Sequence, residues 1–180
     1  MFRLMTVLAL SVAALAAGCV TPPPIPSEAA PSAQLIPEVN LMGRLYGRGE
    51  FRNITGAVRP FDVTLDGTWD GTTLTLVEDF HYADGETGKK TWRLSKTPDG
   101  RYLGTREDVV GVAKGVVQDG AYRMDYTMAI PKKNGGARNV HFQDVLVEDA
   151  NGAVINRAKV SYFGIPVASV ALTMQRTPFS

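Results

Sequence analysis

This chain of 180 residues contains only one cysteine and two histidines. A single cysteine, Cys19, excludes a disulfide within the chain. His81 and His141 have no second ligand at a metal-binding spacing, so we predict neither a metal site nor another cofactor. The adjacent carboxylates Glu78 and Asp79 would face opposite sides of a strand, so they cannot act together as the general acid and general base of one reaction. We therefore expect no catalytic site and no enzyme activity.

An excess of charge of one sign is also absent. The sequence has 19 basic and 18 acidic residues, and Arg3 is the only charged residue before Glu28. Without its first eighteen residues the chain is formally neutral. This balance implies no basic face for nucleic acid or for anionic lipid, so we expect no nucleic-acid partner.

An apolar run over residues 4–15 follows Arg3, and it is too short to span a bilayer. It ends in small residues directly before Cys19, an arrangement that resembles the lipobox of bacterial lipoproteins. The resemblance implies cleavage before Cys19 and acylation of its thiol, with two or three acyl chains holding the protein on a membrane. We predict a lipoprotein signal peptide over residues 1–18.

Residues 19–40 are rich in Pro, Ala and Ser and lack an apolar period. Such a composition predicts a disordered tether between the lipidated Cys19 and a domain over residues 41–180. Val20 follows the cysteine, where lipoproteins that remain on the inner membrane often carry aspartate. By resemblance we expect an outer-membrane lipoprotein facing the periplasm.

The domain contains strand signals almost throughout. Phe61, Val63 and Leu65 alternate with polar residues, as half-buried strands require. Turn dipeptides that favour positive backbone angles separate the segments. These dipeptides are Asp66-Gly67, Asp70-Gly71, Asp84-Gly85, Asp99-Gly100, Asp119-Gly120, Asn134-Gly135 and Asn151-Gly152. The predicted strands lie near 44–52, 59–68, 73–82, 89–96, 101–106, 111–118, 121–130, 138–148, 153–162 and 167–176.

Short hairpins between so many strands predict antiparallel neighbours, and closing the sheet removes its exposed edges. We therefore predict an all-β, antiparallel, up-and-down barrel of about 8–10 strands, wide enough for side chains and one small ligand. Charged residues along the outward positions, such as Asp62, Arg123 and Asp125, disfavour a barrel that crosses the membrane.

Several stretches resemble the lipocalin-like bacterial lipoproteins of the domain-of-unknown-function 3833 family. They are residues 67–71, 76–86, 102–104, 108–115 and 156–158. The resemblance runs from about Arg44 to the end and implies a lipocalin-like barrel without an agreed activity. Genes of this family often lie near those for fatty-acid-modifying enzymes, which suggests lipid handling.

Alternation also predicts which side chains face the interior. Glu78 lies between Leu76 and Phe80 on the inner face, and a buried carboxylate requires a nearby cation. The available cations are Arg157, Arg106 and Lys114. The facing of the strands alone favours Arg106, but we prefer Arg157, because it lies in the family-like Asn-Arg-Ala element. The candidate ligand-binding residues are Glu78, Trp92, Tyr102, Tyr126, Asp144 and Arg157.

Each candidate also has a structural interpretation. The ion pair could fix strand register, and the aromatic residues could simply fill the core. Our preferred function is a membrane-anchored module that binds or helps deliver an apolar ligand such as a fatty acid or lipid. The alternatives are an assembly lipoprotein with a filled barrel and a protein partner, and an enzyme that uses buried Glu78 or Asp144 as general acid or base.

Overall fold

The computed structural model describes residues 23–30, 33–132 and 134–180. The predicted signal peptide of residues 1–18, the predicted lipidation site Cys19 and residues 20–22 lie outside this part of the chain. Within the described ranges, no helix combines the length and the hydropathy that a membrane span needs.

Ten antiparallel strands close into a single barrel in which each strand pairs with its neighbours in sequence, and β1 pairs with β10. The strands are β1 (Gly43–Asn53), β2 (Val58–Trp69), β3 (Thr73–Tyr82), β4 (Thr87–Lys96), β5 (Tyr102–Thr105), β6 (Ala113–Gln118), β7 (Ala121–Pro131), β8 (Ala137–Glu148), β9 (Val154–Tyr162) and β10 (Ile165–Gln175). The predicted fold is confirmed, since every predicted segment coincides with one of these strands.

The up-and-down order gives the barrel two ends with different structures. The connections β1–β2, β3–β4, β5–β6, β7–β8 and β9–β10 lie at one end, which we call the open end. The remaining hairpins lie at the other, which we call the closed end, together with a one-turn helix, α1 (Pro37–Asn40).

Residues 23–30 and 33–40 lie against the barrel, which corrects the predicted disordered tether and the predicted start of the folded part near residue 41. Leu35 is fully buried, and its amide donates a hydrogen bond to the carbonyl of Gly120 at 2.9 Å. Ala29 forms an isolated bridge with Asp149 and packs on outward-facing apolar residues that include Val145. A segment without apolar period can still fold when single apolar side chains fill an end that the strands leave uncovered.

Polar contacts fix α1 across the closed end. Asn40 donates to the carboxylate of Glu148 at 2.7 Å, and Glu38 accepts hydrogen bonds from Tyr102 at 2.7 Å and Lys96 at 2.5 Å. Burial opposes the charge on Glu38, yet these two donors hold the pKa of its carboxyl below the ordinary value. The segment therefore closes one end of the barrel as a hydrogen-bonded plug.

Gly67 lies inside β2 and not in a turn, which corrects the interpretation of Asp66-Gly67 as a hairpin signal. A Cβ atom at this position would lie 2.0 Å from the carbonyl oxygen of Leu41. The glycine is needed because the chain that leaves α1 crosses directly over β2. The following dipeptide, Asp70-Gly71, forms the turn, with φ of 100° at Gly71.

Candidate ligand-binding site

The interior of the barrel holds a cavity of about 560 Å³. It reaches solvent at the open end, because Ile130 and Arg138 both line it and are exposed. The buried residues Leu35 and Leu41 belong to the segment that covers the opposite end. Among the residues that the structure describes, the cavity is therefore open at one end of the barrel and covered at the other.

Aromatic rings form much of the wall. They belong to Phe51, Phe61, Phe80, Tyr82, Trp92, Tyr126 and Phe142. The rings of Tyr126 and Phe142 stack with centroids 5.2 Å apart, and Trp92 meets Tyr126 edge-on at 5.1 Å. Side chains fixed by such contacts give the pocket a preformed shape, which lowers the conformational entropy that the protein loses when a ligand binds.

A buried cluster of charges lies on one wall. Arg106 donates to Glu78 at 3.0 Å and to Asp108 at 2.8 Å, and its guanidinium lies 4.8 Å from the ring of Trp92. Lys90 approaches Asp108 at 3.2 Å, which brings the cluster to two positive and two negative charges. The prediction that Glu78 faces inward and pairs with a cation is confirmed, and the cation is Arg106.

The burial of this cluster shifts its ionisation. Burial raises the pKa of Glu78, against the stabilising charge of Arg106. Burial opposes the charge on Arg106, but Glu78 and Asp108 raise the pKa of its guanidinium above the ordinary value. Arg106 therefore stays charged, and its hydrogen bonds go to Glu78, Asp108 and the sulfur of Met128.

A second polar group lies deeper, on β8 and β9. Asp144 accepts hydrogen bonds from Tyr126 at 3.3 Å and from Asn156 at 3.4 Å, and both bonds reach the same carboxylate oxygen, Oδ2. The other oxygen, Oδ1, and the Oδ1 of Asn156 are buried and have no hydrogen-bond partner among the described residues. Burial raises the pKa of Asp144 to about 7, against those two hydrogen bonds. Two acceptor oxygens buried within this wall therefore lack a donor.

Four of the six predicted candidates line the cavity: Glu78, Trp92, Tyr126 and Asp144. Tyr102 does not, because its hydroxyl is held by Glu38 in the plug, and its ring packs edge-on against Tyr122 at 5.3 Å. Tyr102 is inward-facing, as predicted, but β5 starts at the closed end and places it below the pocket.

Arg157 also lies outside the cavity, which corrects its selection as a candidate. Its guanidinium reaches Glu28 of the N-terminal segment at 2.8 Å, and about a third of the side chain is exposed. The outward position follows from alternation, because Asn156 and Ala158 on either side both line the pocket. The facing argument selected the correct cation, Arg106, and the family-like element did not.

Sequence reasoning missed Asn156, although the interior pattern of β9 contained the signal. Asn156 alternates with Ala158 and Val160, which line the cavity as it does. A polar residue in that series indicates an interior hydrogen-bonding group. Within the described ranges, no three His, Cys, Asp or Glu side chains converge as a metal site would require.

Comparison with known proteins gives a family and a fold. The profile described as "Protein of unknown function (DUF3833)" matches residues 13–176. No curated protein matches the chain. The structure of S-type phycobiliprotein lyase CPES from Guillardia theta is similar, with a TM-score of 0.57 at 11% identity over 78% of this chain and 90% of that one. A redesigned β-barrel, mFAP0, bound to DFHBI, has a TM-score of 0.40 at 13% identity over 76% of this chain and 99% of that one. At these identities the similarity describes a lipocalin-like fold alone.

Proposed function

This chain belongs to the DUF3833 family of proteins of unknown function, and we propose that it binds one small, largely apolar ligand, such as a fatty acid or another lipid, inside its barrel. The observation that carries the proposal is the cavity of about 560 Å³, which has aromatic and aliphatic walls and an entrance at the open end. Ligand pockets in proteins are typically of about 300–1,000 Å³ and combine apolar walls with a few polar groups.

The polar groups of the pocket limit which ligand would fit. A free carboxylate deep in the pocket would meet Asp144 and a guanidinium already shared by Glu78 and Asp108. The unpaired oxygens of Asp144 and Asn156 are buried within the wall and give a ligand no exposed acceptor. An apolar or uncharged inner end of the ligand therefore fits this pocket better than a charged one.

An assembly role with a filled barrel is less well supported, since the interior is not filled. A catalytic role for Glu78 as general acid or base is less well supported, since its carboxylate is engaged by Arg106. Binding without chemistry accounts for the apolar walls and needs no further reactive group.

Binding can be measured by titrating the protein with a dansyl-labelled undecanoic acid and then displacing the probe with unlabelled fatty acids and fatty alcohols. We expect saturable binding of one probe per chain. Ala158→Phe places a ring inside the cavity and should abolish binding. The matched control, Ala171→Phe, changes a residue between Val170 and Leu172, which both line the cavity, so its side chain is on the outer face. Equal binding by the two variants, or binding that never saturates, would overturn the proposal.

We further propose that the protein acts at the cell envelope, held on the outer membrane by acyl chains on Cys19. The support is the sequence pattern of Arg3, the apolar run and the small residues before the cysteine. Cys19→Ser should leave the precursor uncut, and globomycin should accumulate wild-type precursor. Mature protein without acyl chains in a mass spectrum would refute the lipoprotein assignment while leaving the ligand proposal intact.

A further inference from the structure

Exposed apolar side chains are concentrated at the open end of the barrel. Phe163 is 86% exposed, Ile54 is 70% exposed and Ile165 is 64% exposed. Together with Val58 and Ile130 they form what we call the apolar rim. They lie on the connections β1–β2 and β9–β10 and at the adjoining ends of β2, β7 and β10, and these positions are near one another around the barrel because β1 pairs with β10 and β9 pairs with β8.

The rim borders the entrance of the cavity, since Ile130 lines the cavity itself. The amide of Ile54 donates to the carbonyl of Val167, a cavity residue, at 2.9 Å. The rings of Tyr162 and Phe163 lie 4.4 Å apart, and the guanidinium of Arg138 lies 5.1 Å from the Tyr162 ring. A molecule entering the cavity on this side must therefore pass the rim.

The backbone at Phe163 adds a second observation. Phe163 and Gly164 form the two-residue hairpin between β9 and β10 with φ values of 48° and 77°. Turns with two positive φ values favour Asn-Gly or Gly-Gly, and a bulky residue there is strained. The ring is nearly fully exposed, so burial within this chain does not offset the strain. A contact between this ring and another molecule would offset the strain.

The connections on the same half of the entrance contain basic residues and no acidic ones, although the whole chain has nearly equal numbers of both. Residues 53–58, 131–137 and 162–165 contain no Asp or Glu, but they contain Lys132 and Lys133, and Arg138 follows directly. Exposed apolar side chains flanked by basic residues are typical of surfaces that enter the interface of an anionic bilayer.

We propose that the apolar rim docks on the surface of an anionic lipid bilayer, so that the entrance of the cavity faces the membrane. The role of this docking in ligand exchange rests on the proposed lipid-binding function, whereas the docking itself does not. The docking is proposed independently of the anchor on Cys19, because the carbonyl of Pro23 accepts a hydrogen bond from Arg123, which lies near the closed-end start of β7.

A tryptophan at the rim tests the proposal. Full-length Phe163→Trp is bound to vesicles of phosphatidylcholine and phosphatidylglycerol with brominated acyl chains, and quenching is measured after subtraction of the wild-type emission from Trp69 and Trp92. The control is Val39→Trp, a substitution of another exposed residue, in α1 at the closed end, where the native side chain is 59% exposed. We expect several-fold stronger quenching of the tryptophan at position 163.

Further variants keep the test decisive. Ile165→Trp is a second reporter in case Phe163→Trp fails to fold, and Lys132→Glu combined with either reporter should reduce its quenching in phosphatidylglycerol vesicles. Equal quenching at the rim and in α1 would overturn the proposal. A blue shift at position 163 that depends on protein concentration without vesicles would also overturn it, in favour of a second copy of the chain as the occupant. Loss of fatty-acid binding with rim quenching retained would refute only the proposed function.

Discussion

At the scale of single residues, the barrel interior is organised by one guanidinium that two carboxylates share. Arg106 lies between Glu78 and Asp108, and only about a tenth of its side chain is exposed. Alternation along β3 predicted that Glu78 is inside, because its neighbours in the pattern are apolar. The same period, continued from Tyr102 and Gly104, also places Arg106 inside, whereas the family-like element favoured Arg157, which lies on the outer face.

Removing Arg106 should therefore be costly. Arg106→Leu leaves Glu78 buried without its cation, and we expect a loss of about 3–5 kcal/mol in the free energy of unfolding at neutral pH. The loss should be smaller in acid, where Glu78 takes up a proton. Arg157→Leu is the matched control and should cost no more than about 1 kcal/mol, since its pair with Glu28 is partly exposed. Urea melts of the two variants measure the difference, and similar costs would contradict the interior placement of the charge cluster.

Asp144 should make stability depend on pH. Its pKa in the folded protein is about 7, above the ordinary value of 3.8, so the folded state retains a proton that the unfolded chain loses. Stability from this group therefore falls as pH rises from about 4 to about 7 and then levels off. Asp144→Asn should remove this loss, so that relative to wild type the variant gains stability at pH 8 compared with pH 4, by at most on the order of 4 kcal/mol.

The control for this measurement is Asp62→Asn, which changes a carboxylate that is more than half exposed and paired with Arg48 on the surface. It should produce no comparable gain. Thermal melts of both variants across the pH range provide the comparison. A wild-type-like pH profile for Asp144→Asn would mean that the carboxyl group is solvated through the cavity and that its ionisation does not oppose folding.

At the scale of elements, the strands were predictable and the N-terminal segment was not. Polar and apolar residues alternate along β2 and β7, and that pattern specifies both strand and facing. Residues 33–40 contain only isolated apolar side chains, such as Leu35 and Pro37, whose burial depends on the barrel end that receives them. Such tertiary contacts leave no periodic signal in the sequence.

A glycine substitution tests whether this segment belongs to the fold. Gly67→Ala should destabilise the protein by about 1–3 kcal/mol, because the new Cβ would overlap the backbone of Leu41 unless the segment moved. Gly88→Ala in β4 is the matched control, since nothing lies within 4 Å of its added Cβ. That variant should be neutral or slightly stabilising, because alanine restricts the unfolded chain. Equal stability of the two variants would mean that the crossing over β2 is not maintained in solution.

At the scale of the whole molecule, the two ends of the barrel differ in structure: one is covered and the other contains the entrance of the cavity. The closed end is sealed by α1 and by hydrogen bonds to Glu148, Lys96 and Tyr102. The open end contains the entrance of the cavity, the apolar rim and the basic residues Lys132 and Arg138. The number of strands and the closure of the sheet were predictable from turn spacing and from the cost of exposed edges. The size of the cavity was not, because it depends on how the interior side chains pack.

Native mass spectrometry of protein purified gently from its own membranes tests the central claim that this cavity holds an apolar ligand. We expect wild-type protein and Ala171→Phe to carry one additional molecule with the mass of a fatty acid or small lipid, released on activation in the gas phase. Ala158→Phe, with its cavity partly filled, should carry none. An empty wild-type barrel, or the same adduct on both alanine variants, would contradict the claim.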